Sequence, residues 1–139
     1  MRVLVVNGFA SGDAAAAVAM VEGWLANRGH ELTRANLAAE GFDAFMSPEE
    51  RAAYLTDEPL IRPETQAAAA AVRAAESLVV CYPLIHGTAP PRVKSWQERV
   101  FVMGLAFRFT PSGRITGALD QLHHALVLGI GPAGEHRRA

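Results

Sequence analysis

The chain has 139 residues, 50% of them hydrophobic and 19% charged, with a formal net charge of −1. That is enough for one domain with a real core and too little for two. The charge balance offers no basic footprint for nucleic acid and no polybasic membrane patch, and the single Cys81 excludes an internal disulfide and fits a reducing cytoplasm, the expected location.

In chain order, Arg2-Val3-Leu4-Val5-Val6-Asn7 reads as a fully buried parallel strand. Asn7-Gly8 ends the run far short of a signal or membrane-spanning helix. Ala14 to Arg28 favours a helix that closes at Gly29, with Val18, Val21, Trp24 and Leu25 marking its packing face. His30, beside that helix end, is expected as a partner for its dipole. Glu31 to Leu37 alternates polar and apolar residues, as a half-exposed second strand does.

Gly41 to Pro63 interrupts this alternation. A turn over Gly41–Phe45 leads to a helix start with Ser47 as N-cap, Pro48 at the first helical position and Glu50 closing a capping box. An alanine-rich helix follows over Pro63–Ala75, and then the short apolar run Leu78-Val79-Val80-Cys81-Tyr82, a buried strand that stops at Pro83. After the loop Leu84-Ile85-His86-Gly87-Thr88-Ala89, Pro90-Pro91 suits the first turn of a helix whose apolar face holds Val93, Trp96, Val100 and Phe101. Lys94 and Arg99 are expected at the solvated margin of that face or paired with Glu98; Trp24 and Trp96 are expected in the core or at a dimer contact. Thr110 to Arg114 is a turn, and His123 to Leu128 a fourth strand running into Gly129-Ile130-Gly131. His123-His124 begins that strand, without the cysteine or carboxylate spacing of a metal site. Strands alternating with helices predict a three-layer α/β domain with a short, four-stranded parallel sheet. In such a sheet ligands gather beyond the carboxyl ends of the strands, which here carry the loops after Asn7, Pro83 and Leu128.

Tyr82-Pro83-Leu84, Pro90, Lys94, Trp96, Glu98-Arg99-Val100-Phe101, Gly104 and Ala106-Phe107 together resemble the flavodoxin-fold NAD(P)H:quinone oxidoreductase family, the modulator-of-drug-activity type. Gly41-Phe42-Asp43, Ser47, Glu49, Arg51 and Tyr54 are similar to an excursion of the same family. The resemblance covers the whole chain and implies a flavodoxin-like three-layer sandwich over residues 1–139, lacking the family's last strand–helix unit. It also implies a homodimer, built in part by the excursion, which otherwise reads as a surface loop with a local helix. The implied cofactors are FMN or FAD with NAD(P)H as reductant, and the implied acceptor is a small quinone-like aromatic molecule.

Carried over loop by loop, the resemblance implies flavin contacts from Phe9, Ser11 and Gly12, from Pro83, Leu84, Ile85, His86 and Gly87, and from Gly129 and Gly131. The loops depart from the family at telling places. Phe9 and Ala10 stand where relatives carry His and Pro, and Ala14 and Ala16 where they carry Ser and Asn. Asp13 places a carboxylate at the anion site, or else simply caps the helix. Ile85 and His86 replace the two aromatic residues that wall the ring. His86 is either a solvated loop residue or a group able to move protons near neutrality; His136 falls where relatives carry a catalytic Tyr. Two other readings therefore stand beside flavin oxidoreduction. One is a cofactor-free dehydratase, cyclase or isomerase using His86, with Asp13, as acid and base on a flat apolar substrate. The other is a non-catalytic binding subunit.

Overall fold

The computed structural model describes residues 1–10, 14–42 and 45–131. Strand β1 (Arg2–Asn7) has Val3, Leu4, Val5 and Val6 no more than 1% exposed, so both of its faces are covered. Helix α1 (Ala14–Ala26) returns the chain antiparallel to it. Its end tightens, with Arg28 N–H donating to Leu25 O and Gly29 N–H to Ala26 O, before Gly29 exits at φ 75°. Strand β2 (Glu31–Asn36) pairs parallel with β1.

The capping box at Ser47 forms as read: Ser47 Oγ accepts from Glu50 N–H, and Glu50 Oε2 accepts from Ser47 N–H at 2.8 Å, starting α2 (Pro48–Ala53). The turn expected at Gly41–Phe45 includes positions 43 and 44, outside the described residues; Phe42 is fully buried. Then come α3 (Pro63–Ala74), β3 (Ser77–Pro83) and α4 (Pro91–Val100). A hairpin of two three-residue strands, β4 (Phe107–Phe109) and β5 (Ile115–Gly117), flanks the Thr110–Arg114 turn. Strands this short show no alternation, so only the turn was legible in the sequence. Strand β6 (His124–Ile130) completes the main sheet.

That sheet is fully parallel in the order β2-β1-β3-β6, the doubly wound arrangement expected. Alternating side chains send Leu4, Val6, Leu78 and Val80 to one face, where α3 and α4 contribute Ala68, Ala69, Val72 and Trp96. Val3, Val5, Val79 and Cys81 face the other way, against Val18 and Leu25 of α1 and against Phe9. Ala68 and Ala69 let α3 lie close to the sheet.

Three side chains sit differently from the sequence reading. Trp24 is 54% exposed, so the packing face of α1 is Val18 and Leu25; Trp24 flanks it, with the Arg28 guanidinium 3.7 Å above its ring. His30 Nδ1 is buried without a hydrogen-bond partner among the described residues, while its backbone N–H donates to Leu25 O. Arg99 is buried rather than solvated: Nε lies 2.9 Å from Glu50 Oε1 and Nη2 2.9 Å from Glu64 Oε1. Glu98 instead meets Arg51 at 3.5 Å. The partners of Arg99 lie 49 and 35 residues away in sequence, beyond any local spacing rule.

The amino edge of the sheet carries a pH-sensitive link. The Glu76 carboxylate accepts from Arg2 N–H at 2.8 Å and from Arg2 Nη2 at 3.4 Å. Chiefly that backbone bond, and then the nearby positive charges, hold its pKa below the ordinary carboxylate value. A depressed carboxylate pKa contributes stability that is present above its unfolded value and lost as pH falls through its folded one. Glu76→Gln is therefore expected to melt below the wild type at pH 7, with the gap closing as the pH drops below the carboxylate range; thermal melts at pH 7 and pH 3 test it.

Candidate functional site

Three loops meet at the carboxyl ends of β1, β3 and β6. The first leaves β1 through Gly8, whose N–H donates to Cys81 O at 2.8 Å, and Phe9 N–H donates to Asn7 Oδ1 at 3.0 Å. Gly8 has no room for a side chain: a Cβ there would lie 2.5 Å from Val93 Cγ2, 2.9 Å from Tyr82 Cβ and 3.2 Å from Cys81 O. The β1 loop is thus seated directly on the end of β3 and the first turn of α4. Phe9 is 6% exposed and packed with Val18 and Leu25. Its ring is part of the core and does not wall a surface site. Ser11, Gly12 and Asp13 lie outside the described residues, as does His136.

The second loop is tied to the third. Leu84 N–H donates to Ile130 O at 2.9 Å. The Leu84 side chain takes the space that a side chain at Gly129 would need, since a Cβ there would sit 2.8 Å from Leu84 Cδ2; at Gly131 it would sit 3.7 Å from Leu84 Cδ1. Ile85 and Thr88 then exchange two backbone bonds, of 3.0 and 3.1 Å, around His86-Gly87. His86 has φ 49° and Gly87 φ 75°, two successive left-handed residues that make a tight two-residue turn. His86 is the only described non-glycine residue at positive φ, a conformation uncommon for a side-chain-bearing residue. The turn holds the imidazole at its exposed tip.

The structure therefore brings together Pro83, Leu84, Ile85, His86, Gly87, Gly129 and Gly131, with Gly8 anchoring the neighbouring loop. Ile130 was missed in the sequence, although its place between two glycines marks it. Leu84, Ile85 and Ile130 are 37%, 46% and 39% exposed, large apolar side chains left at the surface around the ends of β3 and β6. This shelf suits a flat apolar ring, and the glycines allow close approach to backbone. The one thiol nearby takes no part: Cys81 is fully buried, and burial, assisted by the Glu22 charge, pushes its pKa up.

A second recess, of about 540 Å³, opens between the end of α2 and the hairpin, with Leu55, Asp57, Met103, Arg108 and Phe109 in its walls. Among the described residues no helix is long and apolar enough to cross a membrane.

The sequence pattern of the flavodoxin-like fold family matches residues 1–137. Among solved structures, the chain is similar to an NAD(P)H:quinone oxidoreductase from Methanothermobacter marburgensis, with a TM-score of 0.85 and 21% identity over 97% of this chain and 68% of that one. It is similar to an azoreductase from Bacillus anthracis strain Sterne, with a TM-score of 0.66 and 17% identity over 91% of this chain and 67% of that one. It is also similar to an FMN-dependent NADH-azoreductase from the Ames Ancestor strain of the same species, determined in complex with FMN, with a TM-score of 0.66 and 14% identity over 99% of this chain and 72% of that one. At such identities the shared property is the fold. No curated protein matches the sequence.

Proposed function

The chain belongs to the flavodoxin-like fold family, and from that premise we propose that it is a flavin-dependent NAD(P)H oxidoreductase acting on a small quinone-like aromatic acceptor. The observation that carries this reading is the apolar shelf of Leu84, Ile85 and Ile130 beside His86, at the strand ends where ligands of open parallel sheets gather. The solved relatives named above as quinone oxidoreductase and FMN-dependent azoreductase support the same class.

In this reading Leu84 and Ile85, with the backbone around Gly129 and Gly131, would hold the flavin ring. Ser11 and Gly12, which lie outside the described residues, would supply donors for its phosphate. The flavin, FMN or FAD, supplies when bound the acceptance of hydride from NAD(P)H and its delivery to the acceptor. The protein's share is position and protons. Leu84 locks the β3 loop onto the β6 loop, so the shelf is preformed. His86, held outward by its left-handed backbone, would donate a proton to the reduced acceptor; Asp13 and His136, which lie outside the described residues, are proposed as further acid–base groups.

We also propose a homodimer as the working unit. Reconstitution with FMN or FAD, followed by NAD(P)H oxidation coupled to a soluble benzoquinone, tests the activity. His86→Ala is expected to keep flavin uptake and lower quinone turnover. Undiminished turnover in a folded His86→Ala protein would remove His86 as the proton donor.

A further inference from the structure

We propose that Glu50 is a latch: neutralising its carboxylate melts α2 and lifts it from the fold, leaves the sheet intact, and opens the recess beside the hairpin.

Helix α2 has six residues, against the roughly 12–15 that an isolated helix needs to persist in water. Glu50 is the only one of the six that is buried, so no apolar face docks the helix. Its carboxylate acts through both oxygens. Oε2 accepts from Ser47 N–H at 2.8 Å, which closes the cap, and Oε1 accepts from Arg99 Nε at 2.9 Å, which ties α2 to α4. One ionised group therefore both starts the helix and moors it. The other ties are weaker. Arg51 meets Glu98 at 3.5 Å between exposed side chains, a kind of pair that contributes little. Arg62 reaches Ser47 and Glu49 at 3.0 and 3.2 Å at the segment's exposed margin. Tyr54, just past α2, rests on the core and reaches Phe101 O at 3.3 Å, and it is the tether that stays when the latch opens.

The recess depends on α2 through its last residue. Ala53 O accepts from Thr56 N–H at 3.0 Å and from Thr56 Oγ1 at 2.8 Å. The wall made by Leu55, Thr56 and Asp57 thus hangs from the end of α2. Arg99, by contrast, keeps Glu64 at 2.9 Å when Glu50 is neutral, so its guanidinium is not stranded and α3 stays joined to α4. Phe42, fully buried, and Ile61, packed on the core, hold the chain on either side of the opening segment.

Acid works in the opening direction. The charged groups around Glu50 are Glu49 and Arg51 on α2, Arg62 and Glu64 at the start of α3, and Glu98 and Arg99 on α4. The Ser47 hydroxyl chiefly, and the Arg62 charge, hold the Glu49 carboxyl below its ordinary range. Glu64 is held low chiefly by its own backbone N–H and then by Arg99. Carboxylates held low add stability above their unfolded values and lose it as pH falls through their folded ones.

Trypsin reads the open state. Within residues 41–62 it has one productive site, the bond after Arg51, because Arg62 is followed by Pro63. When opening and closing outpace cleavage, the nicking rate tracks the open population. Glu50→Ala, which loses cap and tie together, is expected to be cut after Arg51 at least about tenfold faster than wild type at pH 7. Glu50→Gln, which keeps an acceptor for Ser47 N–H, should fall between the two. Hydrogen exchange of the wild type, corrected for intrinsic rates, is the second measurement. Between pH 7 and pH 4 the α2 amides should lose protection while those of β1 and β3 keep theirs. A folded Glu50→Ala protein cut no faster than wild type would overturn the latch. So would a Glu50→Ala protein that unfolds altogether, or wild-type α2 amides that stay protected until β1 and β3 open.

Discussion

Arg99→Ala will cost the fold about 3–5 kcal/mol, the loss typical of breaking a buried ion pair from one side. The Arg99 and Glu50 side chains are 5% and 3% exposed and joined at 2.9 Å. A second guanidinium nitrogen reaches Glu64 on α3 at 2.9 Å. Removing the guanidinium strands the Glu50 carboxylate away from water, and that uncompensated charge, more than the lost attraction, sets the size of the effect. Because Arg99 joins α2, α3 and α4, the excursion and the sheet-covering helices loosen together. Arg99→Lys should fall well short of rescue, since one ammonium cannot reproduce two nitrogens set in a planar fork. The double variant Arg99→Met with Glu50→Gln should recover part of the loss, since it removes both charges while Gln can still accept from the Ser47 N–H of the capping box. Urea denaturation of the three variants checks all of this; an Arg99→Ala protein within about 1 kcal/mol of wild type would contradict the burial argument.

Gly8→Ala is expected to cost about 1–3 kcal/mol, in the range of overpacking a filled core. The added carbon would meet Val93, Tyr82 Cβ and the Cys81 carbonyl at 2.5 to 3.2 Å. Two of those atoms belong to β3 or hang directly from it and cannot swing aside. Either the β1 loop lifts, breaking the Gly8 N–H bond to Cys81 O, or the end of β3 shifts with Pro83 and Leu84 behind it. Both routes disturb the site, so the variant should also bind flavin more weakly than wild type. Gly129→Ala makes an informative contrast, because there the near atoms are the far end of Leu84, which can rotate. Its stability should change little while the shelf is rearranged.

Much of the frame was legible because it rests on local physics. The apolar runs at Val3–Val6 and Leu78–Cys81 are buried on both faces, as the sequence implied. Ser47, Pro48 and Glu50 marked a helix start to the residue. What escaped was decided by distant contacts or by backbone sign. Arg99 looked solvated because Glu50 and Glu64 approach it only once α2 and α3 have folded back. Trp24 sits in the apolar spacing of α1, but among the described residues the sheet beneath that side stops at β6 and leaves it uncovered. Phe9 was carried over from the family resemblance as a flavin contact; its ring packs inward against Val18 and Leu25, a burial the loop motif did not signal. The His86-Gly87 turn had a signal, since glycine beside a polar residue suits successive left-handed conformations. Strands β4 and β5 had none, being three residues each.

The measurement that bears most directly on the proposed chemistry is an absorbance scan of the purified protein followed by titration with FMN and with FAD. A flavin oxidoreductase is expected to be yellow as isolated, or to take up one of the two flavins tightly with quenched fluorescence, and Gly8→Ala should weaken that uptake. A colourless, folded protein that leaves the fluorescence of both flavins unchanged would contradict the account. The strand-end shelf would then be assigned to a flat apolar substrate turned over without a cofactor, with His86 as the residue to replace first.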